Sequence, residues 1–362
     1  MSFFQRVTSS LREDNLLRRV VSNSLHLFSN NTIALALSVL QGALVTRLLG
    51  PSGFGLLGII MFYASTVNSI FSFRMSELVV RYGGEYLEKG EKNKASALMK
   101  AAGLTELLVS ILAFIVVALT AGWAESNLAK TEGAAWMFTV YAIGLLANFN
   151  TETSAGILQV TDRIKLQGRV NLLQSVVTTI VIVAAFLLNS TFQTILFAYL
   201  LSKTILGLGL FIAAQAQLHR VLGRGWWRES FSIIASWREL IRFAVSSNVS
   251  ATIIKIFRES EILWVGFFLS TTAAGYYRVA YMLVGFLSIV TDPLIASTFP
   301  EINRLVVQNA WTRLKDFLRK VTSLSLAYNV AIAIGFVLLG QWMIRIYSNE
   351  TFLPAYPALI AL

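Results

Sequence analysis

Cysteine is absent from the 362 residues, and only two histidines occur, His26 and His219, far apart in the chain. The first absence excludes a disulfide framework, a thiolate metal site and a cysteine nucleophile. The second leaves no material for a histidine-rich metal cage. Charge is scarce: 14% of the residues are Asp, Glu, Lys or Arg, against about 25% in an ordinary soluble domain. There is no G-x-x-x-x-G-K-[ST] phosphate loop, no D-x-D pair and no H-E-x-x-H helix, so an ATPase, a metal-dependent sugar transferase and a zinc hydrolase all lack their signatures. No cofactor is expected. What is abundant is apolar: 56% of residues are hydrophobic and mean hydropathy is +0.65. That balance excludes a soluble globule and makes a lipid bilayer the natural solvent for most of the chain.

Apolar runs wide enough for the bilayer core, which takes about 20 helical residues, cover 29–49, 54–73, 101–122, 134–158, 170–188, 191–214, 241–269, 273–296 and 321–347, and another begins near Phe352. They are continuously apolar, not alternating, which predicts helices and not barrel strands. The expected fold is an all-α, polytopic membrane protein. Its organisation reads as an amphipathic cytoplasmic segment (1–28, with Phe4, Val7 and Leu11 at helical spacing), a first six-helix bundle (29–214), an amphipathic linker (215–240) and a second bundle (241–362) that is expected to be incomplete. Trp226, Trp227, Phe231, Ile234 and Trp237 among the arginines of 224–242 predict a helix lying at the membrane surface.

Cytoplasmic loops are enriched in Lys and Arg. With the N-terminus inside, 23 of the 30 fall on the inner side and only Arg47, Lys130 and Arg345 fall outside, while Lys203, Lys255, Arg258 and Arg278 lie within spans. The net charge of +11 is thus a sorting signal and needs no nucleic acid to explain it. Outer loops are short, the longest running from Trp123 to Ala134, whereas a membrane polymerase or ligase would carry a large one for its acceptor. The expectation is a non-enzyme that moves something across the membrane.

An offset of 220 residues overlays Leu49-Gly50-Pro51-Ser52-Gly53-Phe54-Gly55 on Leu269-Ser270-Thr271-Thr272-Ala273-Ala274-Gly275. Each stretch is a tight outer turn followed by a span and then a basic amphipathic segment, Arg81 to Lys100 and Glu301 to Lys320. This predicts a parallel repeat of two bundles about an axis along the membrane normal, around a central cavity.

The stretch Arg47 to Gly55 resembles the first-turn signature of the polysaccharide and oligosaccharide-lipid flippases of the multidrug and oligosaccharidyl-lipid exporter superfamily. Val80-Arg81-Tyr82 with Glu85, Ile157-Leu158-Gln159 with Arg163 and Gln167, Gly266-Phe267-Phe268-Leu269 with Gly275-Tyr276-Tyr277 and Ala280, and Phe299-Pro300-Glu301-Ile302 follow in the same order. The resemblance implies a bacterial inner-membrane protein that flips a lipid-diphosphate-linked oligosaccharide, of the undecaprenyl type, to the outer leaflet for surface polysaccharide. Its implied partners are that lipid-linked glycan and membrane lipids, with a glycan polymerase and glycosyltransferases as companions. The family usually has twelve or fourteen helices, so either the sequence is a fragment or the second bundle is incomplete. A cation-coupled multidrug exporter of the same superfamily and a non-transporting scaffold for glycan assembly are the alternatives.

A charge at the bilayer centre costs about 2.5 to 3.5 kcal/mol on insertion scales, so each one needs a partner or a wet cavity. Lys203, Lys255 and Arg258 lie mid-span, Arg74 toward the inner end of the second span and Arg278 toward the outer end of the eighth. These five are the candidate substrate-binding residues, since cations suit a diphosphate. The alternative is self-pairing: Lys255 with Glu259 and Arg258 with Glu261 stand four and three apart, and Arg74 and Arg278 are close enough to span ends to snorkel. Glu261, Glu152 and Glu106 are the candidate coupling or gating acids, and Glu152 sits in the polar run Asn148 to Thr153, which equally suits interhelical hydrogen bonding.

Overall fold

One residue makes the first reversal of the chain. In the computed structural model α1, Asn15–Phe71, consists of two arms joined at Gly50, whose φ of 64° and ψ of −178° lie in a region that is essentially closed to residues with a Cβ. Pro51 then opens the second arm, where its missing N–H costs no helical bond. The structure describes residues 15–234 and 237–362, with side chains described outside 15–32, 247–251, 254–259, 286–301, 303, 304, 316, 320 and 324. The surface helix expected around Phe4 to Leu11 lies outside the described residues.

Past a break at 72–74, the second arm continues through α2 (Met75–Leu78), a π turn (Val79–Gly83) and α3 (Gly84–Glu88). α4 (Lys92–Ala124) ends in a π turn, Glu125–Ala129, that closes with Lys130 in the left-handed region. α5 (Ala135–Ala147), α6 (Thr151–Val160), α7 (Ile164–Leu187) and α8 (Phe192–Val221) complete the stretch that the sequence reads as the first bundle. The second has α9 (Trp237–Glu259), α10 (Glu261–Phe268), α11 (Thr271–Val307), α12 (Trp311–Tyr347), a 3₁₀ turn (Glu350–Ala355) and α13 (Tyr356–Ala361). Among the described residues there is no strand, and the all-helical expectation holds. Five helical stretches, Ile33–Phe71, Lys92–Ala129, Ile164–Leu187, Phe192–Val221 and Trp311–Tyr347, are long and apolar enough to span a bilayer. They leave Leu108, Leu119, Ile180, Ile212 and Leu338 exposed, a surface that only lipid would cover without penalty.

Three expectations are corrected. The run 134–158 is two helices, because Asn148 turns its amide onto the Gly144 carbonyl (2.8 Å) and Thr151 its hydroxyl onto Asn148, and such local bonds compete with the helical ladder. The run 241–269 is also two, broken at Ser260, whose hydroxyl accepts the Trp264 indole N–H at 3.2 Å. The linker is not a surface helix: Gly223 and Gly225 adopt positive φ after α8, and two 3₁₀ turns (Trp226–Arg228 and Phe231–Ile233) follow. Trp226 is buried there, while Trp227 is exposed.

A single apolar core runs through both bundles at the end carrying the Gly50 turn, joining Phe54, Leu57 and Ile60 to Ile262, Ala274 and Phe352. A second core, with Met75, Leu98, Leu218, Trp226 and Leu240, sits at the linker end. The bundles meet most closely where α1 crosses α11. A Cβ on Gly55 would stand 1.8 Å from the Thr271 carbonyl oxygen, and one on Gly275 would stand 2.0 Å from that of Pro51. Gly55 and Gly275, and Pro51 and Thr271, are pairs related by the 220-residue offset. The contact is therefore reciprocal, as a two-fold relation between the halves requires.

Candidate functional site

Arg278 stands at this crossing. It projects from α11 with 7% of its surface exposed, donates from Nη1 to the Phe54 carbonyl oxygen at 3.1 Å and meets Met61 Sδ at 3.5 Å. Its guanidinium carbon lies 4.2 Å from the centre of the Phe54 ring, a cation–π distance. Tyr141, Tyr199 and Tyr347 lie within its electrostatic reach, and among the described residues it forms no ion pair. A buried guanidinium held by one carbonyl, one thioether sulfur and an aromatic ring has weak partners for its charge, an arrangement that favours an anion.

Lys203, on α8, points its Nζ at the Tyr141 ring, 5.3 Å from the centroid. Tyr141 thus relates two of the predicted cations. The others are elsewhere. Arg74 sits in the break after α1 and pairs with Glu77 at 2.9 Å, both side chains substantially exposed; Phe54 and Arg74 are some twenty positions apart, about 30 Å of helix. The side chains of Lys255, Arg258 and Glu259 on α9 lie outside the described residues. Glu261, the first residue of α10, accepts the Tyr277 hydroxyl.

Glu106 and Glu152 are brought together at the start of α6. Glu106, buried on α4, accepts the backbone N–H of Glu152 (2.8 Å) and Thr153 (2.9 Å) through its two oxygens. Those amides open α6, so a carboxyl from another helix does what an N-cap side chain ordinarily does. Glu152 accepts the Ser76 hydroxyl at 2.6 Å. Glu106→Leu leaves both amides unsatisfied in the interior, at about 1–3 kcal/mol, and is expected to lower the thermal midpoint of the detergent-solubilised protein. An unchanged midpoint would show that the cap carries no stability.

Two further cations bind the bundles at the Gly50 end. Arg47 of α1 donates from Nε to the Ser348 carbonyl oxygen at 2.7 Å, and from Nη2 to that of Ile346, at the end of α12. Lys130 donates to the carbonyl oxygens of Phe267 (2.7 Å) and Leu269 (3.2 Å) at the end of α10. Cations at helix C-termini complement the dipole and its orphan carbonyls. Their signal in the sequence was their rarity, since they are two of the three cations expected on the outer side. At the linker end the Tyr82 hydroxyl donates to Glu239 Oε1 of α9 at 3.1 Å, and Arg81 lies 4.8 Å from the Phe243 ring centre. The tyrosines around Arg278 had no signal in the sequence.

Two cavities lie toward the linker end. One, about 120 Å³, is apolar, between Phe73, Leu98, Trp237 and Ala244. The other, about 210 Å³, is bounded by Lys100, Phe149, Phe211, Gln215 and Trp226. None of the six predicted site residues whose side chains are described lines either. Arg278 lies instead inside the closed crossing.

Comparison with known proteins matches this architecture. The inner membrane protein YghQ of Escherichia coli (strain K12) is 21% identical over 350 residues, covering 95% of this chain and 96% of its own. A multidrug resistance MATE family transporter of the MOP superfamily, solved in an inward-facing conformation, superposes with a TM-score of 0.69 at 12% identity, over 90% of this chain and 74% of its own. A mutant form of the Vibrio cholerae MATE transporter VcmN gives 0.60 at 11%, over 95% and 78%. At such identities these two establish the fold: a helical bundle of the kind MATE transporters have. The family described as polysaccharide biosynthesis protein matches residues 20–306, and it is to this family of membrane proteins that the chain belongs.

Proposed function

We propose that the protein carries a lipid-diphosphate-linked oligosaccharide from the cytoplasmic to the outer leaflet of a bacterial inner membrane, its N-terminus inside, as the two bundles alternately open at either end. The observation that carries the reading is Arg278, a buried guanidinium without a carboxylate partner among the described residues, placed where the bundles cross. When the Gly50 end parts, its donors, held here by only the Phe54 carbonyl and Met61 Sδ, become available to phosphate oxygens, and Lys203 supplies a second positive charge beside Tyr141. Lys255 and Arg258 are proposed to extend this binding surface, and Glu261 to gate it through Tyr277.

The multidrug alternative would use buried acids for a cationic cargo. Both oxygens of Glu106 already hold the start of α6, which weighs against it. The deciding experiment reconstitutes the protein in liposomes with a fluorescent isoprenoid-diphosphate oligosaccharide on one leaflet. Translocation is read as loss of accessibility to an external glycosidase or quencher. Protein-dependent translocation of that lipid with no uptake of cationic dyes is the expected result, and the reverse pattern overturns the proposal.

A further inference from the structure

The 210 Å³ cavity is a lateral cleft of the first bundle. α4 forms one wall with Lys100 and Leu104, α8 the other with Phe211 and Gln215, the α5–α6 junction its back with Phe149, and the linker closes it with Trp226. Three properties coincide there. Leu104, on its rim, is exposed on the outer surface of α4. Toward the linker the lining turns to donors, Lys100, Gln215 and the Trp226 indole, and among the described residues lining the cleft none is acidic. Finally, Trp226 is 8% exposed, and its Nε1 is buried without a hydrogen-bond partner.

An indole N–H has one donor and no acceptor, and burying it unpaired is costly. Native structures leave few such groups without a reason. Lys100 uses one of its three protons on the Glu229 carbonyl and lies 4.1 Å from the Phe231 ring centre, so its ammonium is held at this end of the cleft with two donors left over. Arg220, Arg224 and Arg228 stand in the same short stretch of chain as Trp226, and basic pockets of this kind at a membrane surface suit anionic head groups.

We infer that this cleft is a binding site for an anionic phospholipid of the leaflet at the linker end. Its phosphate accepts from Lys100 and, once the turn carrying Trp226 yields to admit it, from the enclosed Trp226 Nε1, and one acyl chain lies along Leu104, Phe149 and Phe211. The site is separate from the bundle crossing, and the inference does not rest on the transport reading. The lipid would join α4 and α8 to the linker that connects the bundles, and so set how firmly the linker is held.

The test uses the full chain purified in a neutral detergent, with dioleoyl phosphatidylglycerol, dioleoyl phosphatidylcholine and inorganic phosphate as probes. Binding is followed by native mass spectrometry and by thermal midpoint. Saturable retention of phosphatidylglycerol over phosphatidylcholine is expected. Trp226→Phe, which keeps a ring and removes the N–H, is expected to weaken phosphatidylglycerol about tenfold. Equal retention of the two lipids, or a Trp226→Phe protein that binds like the parent, overturns the inference. Stabilisation by inorganic phosphate alone that equals that by phosphatidylglycerol assigns the site to a free anion and overturns the lipid. If circular dichroism reports a misfolded Trp226→Phe protein, Gln215→Leu is measured in its place, with the same outcomes deciding.

Discussion

Valine at Gly55 or at Gly275 is expected to abolish translocation, and to do so equally at either position. At Gly55 the new Cβ would lie 1.8 Å from the Thr271 carbonyl oxygen and 2.7 Å from the Gly275 nitrogen; at Gly275 it would lie 2.0 Å from the Pro51 oxygen. Those are backbone atoms of helix starts, which cannot rotate aside as a side chain can. Relief requires the helices to part by roughly 1.5 Å before ordinary contact distances return, so the Gly50 end can no longer seal. The measurement is helped by the absence of native cysteine. Ser52 Oγ and Thr271 Oγ1 are 3.4 Å apart across the crossing, so Ser52→Cys with Thr271→Cys is expected to oxidise readily to a disulfide. Adding Gly55→Val is expected to prevent that bond and to stop export of surface glycan. A disulfide that still forms, with export at the parental level, would remove the crossing from the mechanism.

Arg278→Met is expected to reduce translocation at least tenfold while leaving the thermal midpoint of the protein unchanged or higher. The two readouts separate binding from architecture. A guanidinium 7% exposed, with no carboxylate partner among the described residues, has given up hydration without a compensating charge, so an apolar side chain of similar reach relieves the fold of that cost. A residue retained for structure alone would show the opposite, with activity following a falling midpoint. Arg278→Lys keeps the charge but not the fork that grips phosphate, and is expected to fall between. Full translocation by Arg278→Met would leave the proposed anion contact without support.

The parts of the molecule that were legible beforehand are those governed by local chemistry. Gly50-Pro51 declares a reversal because glycine alone accepts the required backbone angles, and the 220-residue offset that aligned two weakly similar turns also relates Gly55 to Gly275 and Pro51 to Thr271 in space. Illegible parts depend on which distant residues arrive at one place. Glu106 reads as an isolated acid in an apolar run, yet it caps a helix 46 positions away. The break at Asn148 to Asn150 shows in composition only as polarity, and whether polarity interrupts a helix or decorates it depends on what satisfies the freed amides. Arg278 was visible as a charge in a span, whereas its burial against the Phe54 ring, with tyrosines of α5, α8 and α12 within electrostatic reach, follows from packing that no short-range pattern encodes.

The way Arg47 and Lys130 hold the far half of the molecule has a mechanical consequence. Each grips carbonyl oxygens at a helix end instead of a carboxylate. A full charge attracting partial charges loses its hold over a shorter separation than two opposite ions do, and no proton transfer at the acceptor is needed to let go. Such fasteners are firm when seated and nearly indifferent once a few ångströms have opened. They act as snaps, sharpening the choice between shut and open without adding a long-range pull against the motion.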